Sequence, residues 1–227
     1  MLKSLHMKQA YFTPETIRPK AEEMLQRLVA ERVREGRALK QARSALLVLD
    51  MQRFFLEPDS HAYVPSAAAI LPNIRGLVRA YDELDFPVVY TRHLNTPQDA
   101  GMMDVWWRDL IEAGDPISEI TEALDLSNGT LIEKSQYDAF YGTELETVLK
   151  EKEVTQVVIC GVMTHLCCET TARSAFVRGF EVFFTIDSTA TYNEDFHMAS
   201  LRNLAHGFAT PVLVEDVLNT LRRQDGD

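Results

Sequence analysis

Asp50, Lys134 and Cys167 are the residues of this 227-residue chain best placed to do chemistry. Each follows a short apolar run that reads as a β-strand. Ser44 to Leu49 precedes Asp50, Thr130 to Ile132 precedes Lys134, and Gln156 to Cys160 precedes the turn that leads to Cys167. Ligands of open parallel sheets bind beyond the carboxyl ends of the strands. Three strand ends would thus bring a carboxylate, an ammonium and a thiol to one edge. Taken singly, each has an ordinary reading as a helix cap, a solvated lysine or a core cysteine; their joint placement is the signal. Cys167 is the candidate nucleophile. It opens a helix whose free N–H groups carry partial positive charge, and that charge together with a nearby lysine lowers a thiol pKa. Asp50 is placed to take the thiol proton and hand it to a leaving amine. The N–H groups of Gly161-Val162-Met163-Thr164 are candidates for an oxyanion hole. His165 falls on another side of the helix from Cys167 and is not the expected base.

The elements that must position these groups alternate. Helical periodicity runs over 66 to 85, 143 to 152, 165 to 180, 195 to 208 and 215 to 223. Strand-like runs cover 44–49, 87–91, 130–132, 156–160, 181–186 and 211–214. Strands separated by helices predict a three-layer α/β domain, with a six-stranded parallel sheet and helices on both faces. That domain is expected over 44–223. Residues 1–43 read as a helical extension, with Met24, Leu25, Leu28 and Val29 at helical spacing from 14 to 43.

Composition narrows the function. Thirty-four acidic and 23 basic side chains give a formal net charge of −11, which offers no general attraction to nucleic acid or anionic lipid. A small-molecule substrate is the expected partner. No leader-like apolar core and no membrane-length run is visible, so a cytoplasmic protein is expected. The three cysteines, at 160, 167 and 168, make a poor disulfide framework and lack metal-binding spacing. Neither a metal nor another cofactor is expected. Tyr137, Trp106, Phe55 and His93 are the candidate substrate-binding residues, and Arg53 and Arg92 are candidates to hold a substrate carboxylate.

Four segments together resemble the isochorismatase-like hydrolases. Leu49-Asp50-Met51-Gln52-Arg53-Phe54-Phe55 is similar to their D-M-Q-x-x-F opening. Lys134 to Thr143 is similar to K-x-x-Y-x-A-F-x-x-[ST], and Gly161 to Ala172 to G-V-x-T-x-x-C-V-x-x-T-A. Asp187-Ser188-Thr189-Ala190 is similar to D-A-x-A. The likeness spans about 44 to 218. It implies a Rossmann-like strand order and a catalytic triad of Asp50, Lys134 and Cys167. It also implies a cis peptide between Val162 and Met163, oxyanion donors at the N–H groups of Met163 and Cys167, and a homo-oligomer, dimer or larger. The apolar stripe of the extension would supply a partner surface.

The resemblance leaves two chemistries open. Cysteine hydrolases of the family cleave C–N bonds of amides and carbamoyl amines through a thioester. Isochorismatases cleave a vinyl ether by proton transfer, without a nucleophile. Cys167 points to the first. His165, Cys168, Thr170, Thr171, the Tyr11 to Thr16 lead-in and Met103 to Trp107 resemble the second. Nicotinamidases of the family hold a metal through Asp-x-His after the second strand. That place here reads His93-Leu94-Asn95, while Asp59-Ser60-His61 has the spacing elsewhere.

Overall fold

The computed structural model describes residues 8–31, 36–107 and 109–223. Six strands build one sheet: β1 (Ser44–Leu49), β2 (Val88–His93), β3 (Thr130–Lys134), β4 (Gln156–Val162), β5 (Glu181–Ala190) and β6 (Ala209–Val212). Their order is β3-β2-β1-β4-β5-β6 and every pairing is parallel. β1 and β4 lie at the centre and are buried at every residue, which explains their unbroken apolar runs. β3 is an edge strand, and there burial alternates along the strand.

Helices cover both faces, and one apolar core joins them to the sheet. α3 (Ala67–Glu83) and α8 (Val214–Arg222) pack on each other. α7 (Glu194–Gly207) packs on α6 (Glu169–Val177) and on α1 (Ile17–Glu31). α5 (Leu145–Glu151) begins two residues after the start of the helical periodicity at 143, and Thr143 accepts from the Leu145 N–H. α2 (Arg53–Leu56) and α4 (Met102–Trp106) are short pieces near the carboxyl edge of the sheet.

The extension differs from expectation. Its helix is α1, ending at Glu31; residues 32–35 lie outside the described residues, and Gln41–Arg43 form only a 3₁₀ turn. Ile17, Ala21, Met24 and Leu28 are buried, because α1 lies against β5, β6 and α7 of its own chain. Of the expected stripe, Met24 and Leu28 are thus covered by the same chain, Leu25 is half-buried and Val29 is 54% exposed. Among the described residues no helix is long and apolar enough to cross a membrane.

The strand order reverses between β1 and β4, and the two strands approach closely there. Gly161 is the register partner of Leu49 and has φ +115°. A Cβ at Gly161 would sit 2.1 Å from the Leu49 carbonyl oxygen. Gly161→Ala should therefore destabilise the fold by about 3 kcal/mol or more, combining backbone strain with overpacking. A urea midpoint equivalent to less than about 1 kcal/mol of loss would show that this approach is not tight.

Candidate active site

The switch in strand order creates a crevice at the carboxyl edge. Asp50 follows β1, His93 ends β2, Lys134 ends β3, and Cys167 lies beyond β4. Asp50 has φ +51°, a left-handed conformation that an aspartate tolerates better than most residues. There the chain leaves the strand and the carboxylate enters the crevice. The Val162–Met163 peptide is cis, and Thr164–Cys168 forms a π-helical turn that leads into α6.

Lys134 lies at the centre of the cluster. Its Nζ is 2.8 Å from Asp50 Oδ2 and donates to the Gln136 carbonyl at 2.9 Å. It is also 3.3 Å from His93 Nδ1 and 3.5 Å from Cys167 Sγ. The Asp50 and Lys134 side chains are fully buried. Burial alone would raise the Asp50 pKa, but the Lys134 charge, helped by His93, holds it below the usual carboxylate range. Burial alone would lower the Lys134 pKa, but the Asp50 and Cys167 charges raise it. The pair is therefore ionised at neutral pH.

The thiol departs from expectation. Burial and then the Asp50 charge push the Cys167 pKa up, and Lys134 offsets only part of this. Cys167 is thus a protonated thiol at rest, beside a carboxylate able to receive its proton. His93 is buried, and burial with the Lys134 charge lowers its pKa to about 4, so its ring is neutral.

A cavity of about 440 Å³, mouth included, opens over Cys167. Phe54, Phe55, Met103, Trp107, Leu110 and Ile111 make its apolar walls; His93, Asn95, Asp109 and Tyr137 add polar atoms. Met163 and Cys167 both line it. Of the expected substrate-binding residues, Phe55, His93 and Tyr137 are therefore at the cavity and Trp106 is not. Trp106 is 77% exposed, and its neighbour Trp107 faces the cavity instead and donates from Nε1 to the Tyr137 hydroxyl at 2.7 Å. Neither arginine reaches the site. Arg53 pairs with Glu57, and Arg92 bridges Glu119 and Glu133.

Several site residues escaped the sequence reading. Thr91 Oγ1 donates to Asp50 Oδ1 at 2.6 Å and fixes the carboxylate. Its signal is register, since Thr91 is the β2 partner of Leu49, the residue before Asp50. Gln52 accepts from the His93 N–H and donates to the His93 and Ser118 carbonyls, tying the β1 exit to the β2 exit. Asn95 Oδ1 accepts from His93 Nε2 at 2.8 Å, a pairing that no motif announced.

The nucleophile turn is braced from behind. Thr164 Oγ1 is 3.0 Å from His197 Nδ1, and His165 Nδ1 is 2.5 Å from Thr191 Oγ1. The Thr191 N–H donates to the Tyr11 hydroxyl, and the Tyr11 and Phe12 rings pack on His197. Thr171 accepts from the Ala139 N–H. The residues that resemble the isochorismatase pattern at Tyr11, His165 and Thr171 thus hold the scaffold together and do not line the cavity.

The residues do not fit a metal. Asp50, His93 and Cys167 place ligand-type atoms within 4.8 Å of one another, but the Lys134 ammonium already stands within bonding reach of all three. A second cation there would meet unscreened repulsion. After β2, both His93 nitrogens and Asn95 are engaged. Asp59 and His61 lie in the loop before α3, and His61 Nδ1 is 2.9 Å from Asp109 Oδ2.

Comparisons agree with this geometry. The Isochorismatase domain family matches residues 44–216. The chain is 42% identical over 171 residues to Nicotinamidase 3 of Arabidopsis thaliana, covering 73% of this chain and 82% of that protein. It is 30% identical over 184 residues to Enterobactin synthase component B of Escherichia coli (strain K12), covering 80% of this chain and 64% of that protein. A cysteine hydrolase structure from Pseudomonas syringae pv. phaseolicola 1448A aligns with TM-score 0.78 at 29% identity, covering 84% and 96% of the two chains. Fold, strand order and a matched stretch that contains Asp50, Lys134 and Cys167 make this chain a hydrolase of the isochorismatase family.

Proposed function

We propose that the protein is a cysteine-dependent amidase that cleaves the C–N bond of a small, uncharged amide through a thioester on Cys167. The observation that carries this is the thiol itself, which lines the cavity and lies beside the buried, ionised Asp50–Lys134 pair. The likeness to a nicotinamidase supports it. The cavity supports a flat, neutral substrate: its walls are aromatic and aliphatic, and among the described residues no arginine or lysine lines it.

The steps follow from the protonation states. Sulfur attacks the amide carbonyl carbon while Asp50 removes the thiol proton. No free thiolate accumulates beforehand, because the thiol pKa is high and that of Asp50 low. Lys134 offsets the charge that grows on sulfur, and the N–H groups of Met163 and Cys167 receive the oxyanion. Asp50 then gives its proton to the departing nitrogen, the C–N bond breaks, and an acyl thioester and amine remain. Water attacks the thioester with Asp50 as base, and the returning proton restores the thiol and frees the acid.

Ammonia release from a panel of primary amides, with N-carbamoyl amino acids and isochorismate as the contrasting members, tests the assignment. The expected result is turnover of a neutral primary amide. One equivalent of iodoacetamide on Cys167 should abolish that turnover, and the substrate should protect against labelling. Cys160 and Cys168 are fully buried away from the cavity and should label far more slowly. Turnover confined to isochorismate, or equal labelling of all three thiols, would overturn the assignment.

A further inference from the structure

Asp187 opens the fourth of the family-like segments, yet it does not line the cavity over Cys167. It faces a second cleft, of about 750 Å³ with its mouth, where β5 meets α1, α3 and the start of α8. Ile17, Leu213, Val214 and Leu218 give this cleft apolar sides. Asp187 is nine-tenths buried in its wall. Oδ1 accepts from the Val214 N–H at 2.9 Å, and the Asp187 N–H also favours the carboxylate. Among the described residues no side chain donates to it; Asn73 donates to the Asp187 main-chain carbonyl instead. The charges around it do not neutralise it. From α8, Asp216 and Glu215 carry its own sign, and after burial they raise its pKa, to about 6. From α1, Glu22 adds the same sign, and Arg18 turns to Glu22 and Glu215 at the exposed rim. Arg222 lines the cleft from α8 and is exposed, without an ion pair to Asp187. The contrast with Asp50 is direct: that buried carboxylate has an ammonium at 2.8 Å within the chain, and this one has none. A buried carboxylate without a counter-charge is costly to the fold, and a cation supplied from outside relieves the cost.

We propose that this cleft binds a small organic ammonium ion, its nitrogen on the Asp187 carboxylate and its alkyl part along Ile17, Leu213 and Leu218. A bare metal ion fits less well. Among the described residues no group of histidine, cysteine or carboxylate ligands gathers around Asp187 within metal-sharing distance. The site is independent of the amidase assignment, because Asp50, Lys134 and Cys167 take no part in it.

The test crosses protein, ligand and pH. n-Hexylamine is a cation at neutral pH, and 1-hexanol is a neutral molecule of about the same size and shape. Titrated by calorimetry at pH 7.5, the wild type should bind the amine about tenfold or more tightly than the alcohol, the scale of one charge-assisted hydrogen bond. Asp187→Asn keeps an oxygen for the Val214 N–H and should bind the two compounds alike. The wild-type affinity for hexylamine should also fall about tenfold between pH 7 and pH 5. Over that range a carboxyl with a pKa of about 6 goes from about nine-tenths to about one-tenth ionised, and only the ionised form holds the ammonium. In Asp187→Asn that fall should vanish. No binding of hexylamine at millimolar concentration overturns the proposal. So does a preference for the amine that survives Asp187→Asn, which would place the amine elsewhere, in the cavity over Cys167 for instance. If Asp187→Asn does not fold, the wild type decides by itself: an affinity for hexylamine that is flat from pH 5 to pH 7 refutes the site, and the tenfold fall, absent for hexanol, supports it.

Discussion

Cys167→Ala should lower kcat/KM for the amide substrate by at least about 10²–10⁴-fold, and Asp50→Asn should do comparable damage. The reasons differ. Without sulfur there is no thioester route, and water would have to attack an unactivated amide. Without the Asp50 carboxylate the thiol keeps its proton, since burial and charge hold it protonated, and the leaving amine receives none. The two groups act on one proton, so the double variant should be little worse than either single one. Circular dichroism and unfolding curves would check that Cys167→Ala keeps its fold, which a change this small at a buried site should allow. A near-wild-type rate for Cys167→Ala would instead fit proton-transfer chemistry on a vinyl ether, with the thiol a bystander.

Lys134→Met should be felt in stability as well as in rate. Removing the ammonium leaves the Asp50 carboxylate at zero exposure, with the Thr91 hydroxyl at 2.6 Å and the Cys167 thiol as side-chain donors but no charge of opposite sign beside it. Breaking one side of a buried pair costs about 3–5 kcal/mol. The pH dependence has a definite sign. In the wild type the Asp50 pKa is lowered, so the pair contributes stability above the unfolded carboxyl value, and that contribution is lost as pH falls through the folded one. In Lys134→Met burial, the largest influence on Asp50, is no longer opposed by the ammonium, its pKa rises above the unfolded value, and the variant loses stability as pH climbs from about 4 toward neutrality. The gap between the two proteins should thus be largest near pH 7 and shrink in acid. Adding Asp50→Asn to Lys134→Met should recover much of the loss, because a neutral amide no longer needs a counter-charge. Chemical unfolding at pH 5 and pH 7 of the four proteins would show this; a deficit below about 1 kcal/mol at pH 7 would mean that solvent reaches the pair.

The parallel sheet was legible because its strands are nearly continuous apolar runs between amphipathic helices, and strand ends pointed to Asp50, Lys134 and Cys167, which the fold brings together. What sequence could not supply depended on packing. Trp106 ends a five-residue helix and Trp107 follows it in extended backbone, a stretch too short for periodicity to say which ring turns inward. The thiol pKa was read from a helix start and a lysine, both present; the depth of burial, which outweighs them, has no local sequence signal. The stripe on α1 was visible as a stripe, but an amphipathic pattern does not say whether its cover is the same chain or another. The π-helical turn at Thr164–Cys168 left no trace in residue type. Thr91 and Gln52 act through register, which emerges only once β1 and β2 are paired.

The bracing of the nucleophile turn by Tyr11 and Phe12 bears on how the protein is cut. The family match starts at residue 44, and an expressed fragment would ordinarily be trimmed there. Such a fragment would keep Asp50, Lys134 and Cys167. It would strip the cover from His197, remove the hydroxyl that meets the Thr191 N–H, and uncover the faces of α7, β5 and β6 that α1 shields. Its defect would surface as a loosened turn under the cysteine and as stickiness in solution, with Asp50, Lys134 and Cys167 all still present. For this chain the border of sequence kinship falls well inside the stretch that packs as one body, because residue 44 comes after Tyr11, Phe12 and the whole of α1.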